Sequence, residues 1–439
     1  MIIHKTTTIC NSCNASHPAE LIKKENNIIG VVDCPKGRYE YNISTDAEMF
    51  LKLRKRCFID FAKDKKENSR YILNYISITN ACNLNCTVCG AGAKKRLDDA
   101  VFLSVDEICR RAKEVKQKGG RVLHFFGGEP TLHPDLLEIV QRISRMGFST
   151  GLVTNGYLLG KDNTLAEKLK KRGLKRICMQ FDSFNEDTLN KLGRGYLKEK
   201  NKAIQNVINA GLNLGLNCTT TKYNLYDLSQ LLSHGLKLGP YLKNMTFASA
   251  APVGRYLLSN DDCVNREQMI AQLLKAGDKF KFSFDDIMPL PSYLPWGVQI
   301  HPDCGVHIIL IRKPDNIRPL NYYVNVRKLY RCMGANKMKP GFVSCKILPI
   351  FYVLKSMREN KILECLKVIS GLCFKRKKYS LVNIGISDYK AAMFLDEQRI
   401  RKCASAFYTS VGPVKACLHF LRDQNFPGSC EWVESHGSC

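Results

Sequence analysis

The sequence lacks a long apolar run, a secretory leader and any long low-complexity tract. A bilayer span needs about 20 apolar residues, whereas the longest candidate, 347–354, lies between Lys346 and Lys355. The first residues, MIIHKTTTICNSC, carry no apolar h-region. These absences disfavour a membrane-spanning or secreted protein and predict a cytoplasmic location.

Acidic residues are also scarce, with 40 Asp and Glu against 67 Lys and Arg and a net charge of +27. Such a charge suits an acidic partner, namely nucleic acid, an anionic membrane surface or a phosphorylated substrate. The alternative is an ordinary lysine-rich solvated surface, because the charge is spread along the chain. No aromatic-interleaved RNA-binding motif is evident, so we expect no specific nucleic-acid partner.

Cysteine, by contrast, is abundant, with 20 residues. In a reducing compartment these thiols are metal ligands or buried apolar residues more often than disulfides. Three of them, Cys82, Cys86 and Cys89, lie within eight residues of the stretch NACNLNCTVCGAG. Structural zinc requires four ligands, usually as two pairs, and no second pair lies within twenty residues. Three thiolates suit a 4Fe–4S cluster with one open iron, while a zinc site and purely structural cysteines remain alternatives.

Three regions are predicted along the chain: a cysteine-containing region over 1–70, a regular α/β region over 71–257 and an irregular cysteine-bearing region over 258–439. The middle region alternates strand-like and helix-like patterns, which predicts a parallel sheet with right-handed crossovers, either doubly wound or an incomplete barrel. The predicted strands are 75–79, 121–126, 148–154, 175–182, 212–220 and 244–250. The predicted helices are 104–118, 134–146, 164–171, 196–210 and 225–238. Ser104 with Glu107 three residues on marks the start of the first, and Gly119, Gly147, Gly173, Gly211 and Gly239 mark helix ends.

Polar motifs follow the predicted strands where functional loops of such sheets cluster. The cysteines follow strand one, and the turn Gly127, Gly128, Glu129 and Pro130 follows strand two. The glycines allow close backbone approach, and Glu129 offers a charged hydrogen-bond acceptor. A surface glutamate in an ordinary turn is the alternative for this stretch alone.

The segment CNLNCTVC, a C-x₃-C-x₂-C after the first strand of a βα repeat, resembles the radical S-adenosylmethionine (radical SAM) superfamily over about 71–257. The resemblance implies a partial (βα)₆ barrel and a 4Fe–4S cluster held by the three cysteines. It also implies that S-adenosylmethionine (SAM) chelates the open iron. One electron then cleaves SAM to methionine and a 5′-deoxyadenosyl radical, which abstracts hydrogen from the substrate.

Further residues follow the family pattern. The GGEP turn corresponds to the family's SAM-binding motif, and Asn155 lies in the segment near the ribose. Gln180 and Asp182 alternate on strand four, where Asp182 contacts SAM or substrate or else simply caps the strand. Many members place an aromatic residue before the third cysteine to stack on adenine. Here that residue is Val88, so an apolar contact survives but the stacking argument does not.

Stretches along nearly the whole chain are similar to the branch of archaeal tetraether lipid synthase and the dihydropterin methyltransferase. In that branch the N-terminal region holds a mononuclear zinc or iron site, matched here by Cys10, Cys13 and Cys34. The usual CPEHG reads CPKGR in this chain, so the fourth ligand is either His17 or Cys57, or the hairpin is metal-free. The resemblance also implies auxiliary-cluster ligands, namely Cys304, Cys403 and Cys417, with Cys332, Cys345, Cys430 and Cys439 unassigned.

The expected function is a radical SAM transferase or carbon–carbon bond-forming enzyme acting on an unreactive C–H bond of a lipid or pterin-like substrate. An electron donor such as ferredoxin or flavodoxin is implied. The basic amphipathic segment 346–378 fits peripheral contact with an anionic membrane or an ordinary packed helix pair. The alternatives are a radical SAM enzyme that modifies nucleic acid or peptide and a non-catalytic metal-binding regulatory protein.

Overall fold

The computed structural model describes residues 1–10, 13, 15–56, 71–93, 100–289, 301–329, 352–373, 379–389 and 394–422. Several predicted features lie outside these residues: Cys57, the unassigned Cys332, Cys345, Cys430 and Cys439, and both ends of the segment 346–378. Within the described residues, no helix is long and apolar enough to cross a membrane.

The strands of the structure, in chain order, are β1 Ile2–Ile9, β2 Ser16–Lys24, β3 Asn27–Cys34, β4 Gly37–Ser44, β5 Leu73–Thr79, β6 Val88–Cys89, β7 Val122–Gly127, β8 Ser149–Thr154, β9 Arg176–Gln180, β10 Asn213–Thr220, β11 Leu242–Ser249, β12 Arg255–Tyr256, β13 Gly305–Arg312, β14 Ile317–Pro319, β15 Ser380–Ser387, β16 Leu395–Asp396, β17 Ser405–Thr409 and β18 Gly412–Lys415. The six predicted strands all form, each within two residues of the predicted ends.

The helices are α1 Ala47–Lys55, α2 Val105–Gln117, α3 Leu136–Arg145, α4 Tyr157–Lys161, α5 Leu165–Lys171, α6 Glu186–Lys191, α7 Leu197–Asn209, α8 Leu228–Lys237, α9 Arg266–Leu274, α10 Gly277–Phe280, α11 Leu320–Tyr323, α12 Ile362–Cys373, α13 Glu397–Arg401 and α14 Ala416–Arg422. The predicted helices also form, and the hydroxyl of Ser104 accepts a hydrogen bond from the Glu107 N–H at the start of α2. The glycines predicted to end them all have positive φ: Gly119, Gly147, Gly173, Gly211 and Gly239.

The central sheet has the order β14-β13-β15-β11-β10-β9-β8-β7-β5-β17-β18. Six strands of this sheet lie side by side in the order in which they follow along the chain, and each pairs in parallel with the next: β5, β7, β8, β9, β10 and β11. This arrangement confirms the predicted α/β class and the partial (βα)₆ barrel. The main core lies between these strands and their helices, with fully buried side chains such as Ile76, Phe125 and Leu152.

The C-terminal region extends this sheet at both sides. Strand β15 pairs in parallel with β11, β13 pairs antiparallel with β15, and β17 pairs in parallel with β5. The N-terminal residues form a separate sheet of order β16-β1-β2-β3-β4, in which β16 comes from the C-terminal region. The six parallel strands thus all end at one edge of the sheet, and this edge carries the candidate site.

Candidate active site

The predicted three-cysteine loop follows β5 directly. Cys82 and Cys86 are buried and Cys89 is half-buried, and together with Leu84 and Ala93 they form a small cluster of their own. All three cysteines are free thiols. The loop therefore gathers three reduced sulfur atoms at the carboxyl end of the first parallel strand, as the sequence predicts.

Burial raises the pKa of the Cys82 thiol to about 12, and the carboxyl group of Glu129 adds to the rise. A thiol with this pKa keeps its proton at neutral pH. Metal ligands must be thiolates, so a bound cation would have to displace that proton. Cys82 without a bound metal is therefore a poor nucleophile.

The two glycines of the GGEP turn lie against the chain that leads into this loop. The Gly128 N–H donates to the carbonyl of Thr79 at 2.8 Å, and the Glu129 N–H donates to the carbonyl of Ala81 at 2.6 Å. A Cβ at Gly128 would lie 2.6 Å from the carbonyl carbon of Ala81 and 2.8 Å from the carbonyl oxygen of Asn80. Only glycine permits this approach, so the turn fixes the backbone immediately before Cys82.

Glu129 is fully buried and joins the ends of β7 and β8. Its Oε1 accepts hydrogen bonds from the Thr131 N–H (3.1 Å) and hydroxyl (2.5 Å) and from the Thr154 hydroxyl (2.6 Å), while Oε2 accepts from the Asn155 N–H (2.7 Å). Burial raises its pKa, although these hydrogen bonds act in the opposite direction. A carboxylate offers about four acceptor positions, so Oε2 retains capacity for a further donor.

Asn155 connects the end of β8 to the cysteine loop. Its Nδ2 donates to Asn83 Oδ1 at 2.7 Å, and its Oδ1 accepts from the Tyr157 N–H at 2.9 Å. The backbone N–H of the same residue donates to Glu129. Glu129, Asn155 and Asn83 therefore form one hydrogen-bonded line from the second strand to the loop, and sequence patterns gave no sign of Asn83.

Asp182 and Gln180 mark the end of β9. Asp182 is fully buried, and its Oδ1 accepts from Arg194 Nη1 at 2.9 Å and from the Thr219 N–H at 2.8 Å. Its Oδ2 is also buried and has no hydrogen-bond partner among the described residues. Gln180 accepts from the buried Lys200 ammonium at 3.4 Å, whose pKa is lowered by burial. A buried, open carboxylate oxygen beside the cysteine loop is an acceptor available to a ligand.

Two arginines that the sequence did not single out as site residues also contact the loop. Arg194 Nη2 donates to the carbonyl of Val88 at 2.6 Å. Arg255 Nε donates to the carbonyl of Cys86, and its Nη1 to the carbonyl of Ala93, both at 2.8 Å. Neither arginine lies in a motif of fixed spacing relative to the cysteines, so only the fold reveals them. Val88 itself is buried against Leu192 and Ala250 rather than available for stacking.

The predicted N-terminal site is brought together by β1, β2 and β3. The sulfur atoms of Cys10, Cys13 and Cys34 all lie within 4.8 Å of one another, and Cys34 Sγ is 3.5 Å from Cys13 Sγ. His17 Nε2 is 2.9 Å from Cys13 Sγ. Four thiolates bound at 2.3 Å around one tetrahedral ion lie about 3.8 Å apart, so this spacing suits a mononuclear ion. Of the two predicted fourth ligands, His17 contacts Cys13 but is not within 4.8 Å of all three sulfur atoms, and Cys57 lies outside the described residues.

Cys304, Cys403 and Cys417 lie around Arg399 at the C-terminal side of the molecule. Arg399 Nε donates to Cys304 Sγ at 3.1 Å. The pKa of Cys417 is lowered to about 6 by a hydrogen bond with Cys403 and by the guanidinium of Arg399, although burial acts in the opposite direction. Burial raises the pKa of Cys304 to about 11. Among the described residues only the N-terminal set packs three such ligand atoms within 4.8 Å. The C-terminal thiols are therefore near one another but not converged on a single ion.

Comparisons with known proteins agree with this geometry. Residues 76–227 match the model of the Radical SAM superfamily. The chain is 24% identical to the 7,8-dihydro-6-hydroxymethylpterin dimethyltransferase of Methanocaldococcus jannaschii, over 92% of this chain and 90% of that protein. It is 28% identical to the probable GTP 3′,8-cyclase of Saccharolobus solfataricus, over 67% of this chain and 86% of the relative. A solved structure, Streptococcus suis SuiB, is 14% identical with a TM-score of 0.42, covering 64% of this chain and 69% of its own. Residues 76–227 of this chain therefore form a domain of the Radical SAM superfamily.

Proposed function

We propose that this enzyme methylates an unreactive carbon of a pterin-like small molecule, or joins that carbon to another. The observation that supports this best is the likeness to a pterin dimethyltransferase along nearly the full length of both chains. Enzymes of the superfamily use a 4Fe–4S cluster and SAM. When bound, the cluster would supply the electron that cleaves SAM, and the resulting 5′-deoxyadenosyl radical would abstract hydrogen from the substrate C–H bond.

Cys82, Cys86 and Cys89 are the proposed ligands of that cluster. The residues fit the group in three respects: the donor set is three reduced thiols, the backbone behind them is held by a glycine turn, and a buried carboxylate oxygen of Asp182 lacks a partner among the described residues. The proposed SAM contacts are the GGEP turn with Glu129 Oε2 for the ammonium group, Asn155 for the ribose, and Gln180 with Asp182. These assignments follow from position and capacity for hydrogen bonds.

The other cysteine groups are proposed to hold further metal. Cys10, Cys13 and Cys34 would bind one zinc or iron ion, since the spacing of their sulfur atoms suits tetrahedral coordination. His17, which contacts Cys13, is the proposed fourth ligand. Cys304, Cys403 and Cys417 would bind an auxiliary iron–sulfur cluster. Its proposed roles are electron transfer or binding of a substrate-derived atom. A ferredoxin- or flavodoxin-like protein is the proposed electron donor.

The C-terminal region favours a lipid substrate as a second candidate. Helix α12 packs Cys365 and Val368 into a local core but exposes Leu363 (77%), Leu366 (43%) and Ile362 (42%). Basic residues 375–378 follow this helix in the sequence. An exposed apolar face with a basic flank is typical of helices that lie on an anionic membrane.

The first experiment tests the shared chemistry. The protein is purified and reconstituted without oxygen, its iron and sulfide are counted, and it is incubated with SAM and a low-potential reductant. We expect 5′-deoxyadenosine from the wild type and none from Cys86→Ala. A reconstituted wild-type protein without iron would refute the assignment, and cleavage retained in Cys86→Ala would mean that the cluster lies elsewhere.

The second experiment separates the two substrates. Mass spectrometry of reactions with 7,8-dihydro-6-hydroxymethylpterin should show added methyl mass if the pterin proposal holds. Co-sedimentation with anionic liposomes should fall for Leu363→Asp but not for Leu381→Asp, an exposed leucine (47%) on β15. Equal pelleting of both variants and the wild type would refute the membrane face, and an unmodified pterin would refute the first substrate.

A further inference from the structure

The loop that carries the three cysteines accepts hydrogen bonds from two guanidinium groups. Arg194 follows α6 and contacts the loop at the carbonyl of Val88, between the second and third cysteines. Arg255 lies on β12, whose pairing with β6 places it opposite Cys89. Its planar fork binds the carbonyls of Cys86 and Ala93 together. The carbonyl oxygens on both sides of the cluster ligands thus accept charge-assisted hydrogen bonds.

The two arginines differ in how their charge is balanced. Arg194 is buried and forms an ion pair with the fully buried Asp182. Arg255 is half-buried, and no carboxylate of the described residues forms an ion pair with it. The guanidinium of Arg255 therefore has no ion-pair partner within the described part of the chain, and it donates directly to the backbone of Cys86.

A further contact ties the loop to the segment that carries Arg194. The Thr87 N–H donates to the carbonyl of Leu192 at 3.0 Å. Gly193 lies so close that a Cβ there would be 3.1 Å from the Cα of Cys86. The segment 192–194 is therefore packed against the second cysteine, and Arg194 connects Asp182 to the loop.

We infer that Arg194 and Arg255 are positioning residues that fix the cysteine loop and, through the charge of Arg255, set the reduction potential of the cluster that the loop holds. The inference rests on the proposed function, because it requires that cluster. Reduction adds a negative charge to the cluster. A nearby uncompensated cation stabilises the reduced form and raises the potential.

The test uses full-length, anaerobically reconstituted protein and a redox titration monitored by electron paramagnetic resonance. Arg255→Gln should move the midpoint potential to more negative values and lower the iron retained per chain. Arg255→Lys, which keeps the charge but not the planar fork, should restore the potential while still losing iron on dilution. Arg142→Gln, which removes an arginine from the surface of α3, is the charge-matched control and should titrate as wild type.

Arg194→Gln addresses the second contact. Its expected effect is loss of iron with a smaller shift of potential than in Arg255→Gln, because the charge removed was already paired with Asp182. A wild-type midpoint in Arg255→Gln, or a shift in Arg255→Lys as large as in Arg255→Gln, would overturn the inference. A wild-type protein that holds no cluster would instead contradict the proposed function, so the two failures are distinct.

Discussion

Replacing Gly128 with alanine should displace the cysteine loop. Gly128 has no left-handed φ, so alanine costs nothing in backbone conformation. Its Cβ, however, would lie 2.6 Å from the carbonyl carbon of Ala81. Carbon atoms prefer about 3.5–4.0 Å, so the turn and the loop must separate by about 1 Å. Overpacking of this kind costs about 1–3 kcal/mol. If this cost applies only when the loop holds the cluster, the affinity for the cluster falls roughly 5–150-fold.

The assay is iron and sulfide per chain after anaerobic reconstitution and dilution, with thermal unfolding of the metal-free protein recorded alongside. Gly147→Ala is the matched control. Gly147 has φ +90° with no atom within 4 Å of an added Cβ, so alanine there costs about 1–2 kcal/mol of backbone strain without touching the loop. We expect Gly147→Ala to keep its cluster although its metal-free form is destabilised. Full iron retention in Gly128→Ala would refute the argument that the turn positions Cys82.

Three further predictions concern other parts of the molecule. His17→Ala should weaken Co²⁺ binding at the N-terminal site at least tenfold, because the substitution removes the proposed fourth ligand. The affinity is measured by competition with a chelator, and Cys13→Ala gives the affinity of a disrupted site. An unchanged affinity in His17→Ala would exclude His17 as a ligand. Burial lowers the pKa of His307 from 6.5 to about 4. The free energy of unfolding should therefore fall as the pH drops from 6.5 toward 4, by about 2 kcal/mol at pH 5. In His307→Gln the difference in melting temperature between pH 7 and pH 5 should shrink, and an unchanged difference would contradict this prediction. Asp182→Asn leaves the buried Arg194 without its ion-pair partner, which should lower the free energy of unfolding by about 3–5 kcal/mol. We expect a lower melting temperature, and a wild-type melting temperature would contradict this prediction.

The repeating part of the fold could be predicted because each signal was local. Ser104 with Glu107 marked a helix start, and glycines such as Gly147 marked helix ends, where the structure shows positive φ. The cysteine spacing and the order of motifs after successive strands likewise predicted which loops meet. Parallel pairing guarantees that meeting, so no long-range information was needed.

The remaining site residues depend on contacts between distant segments. Arg255 reaches Cys86 only because β12 pairs with β6, and no period or spacing in the sequence announces that pairing. Glu129 was predicted as an acceptor for ligand, yet three of its hydrogen bonds go to Thr131 and Thr154 within its own turn and the next strand. A sequence pattern identifies a buried carboxylate but does not reveal how many partners the fold already provides.

The pairing of β1 with β16 has a consequence for biosynthesis. Thr8 lies opposite Asp396, so the partner of β1 leaves the ribosome long after β1 itself. At about 5–20 residues per second, the edge of β1 waits roughly 20–80 s. During this interval the hairpins that carry Cys10, Cys13 and Cys34 are accessible to the metal supply of the cell, and the bare strand edge is a target for chaperones or for self-association. Translational pausing between β1 and β16 would lengthen that exposure, so codon changes in that interval should affect the metal content of the site beside β1.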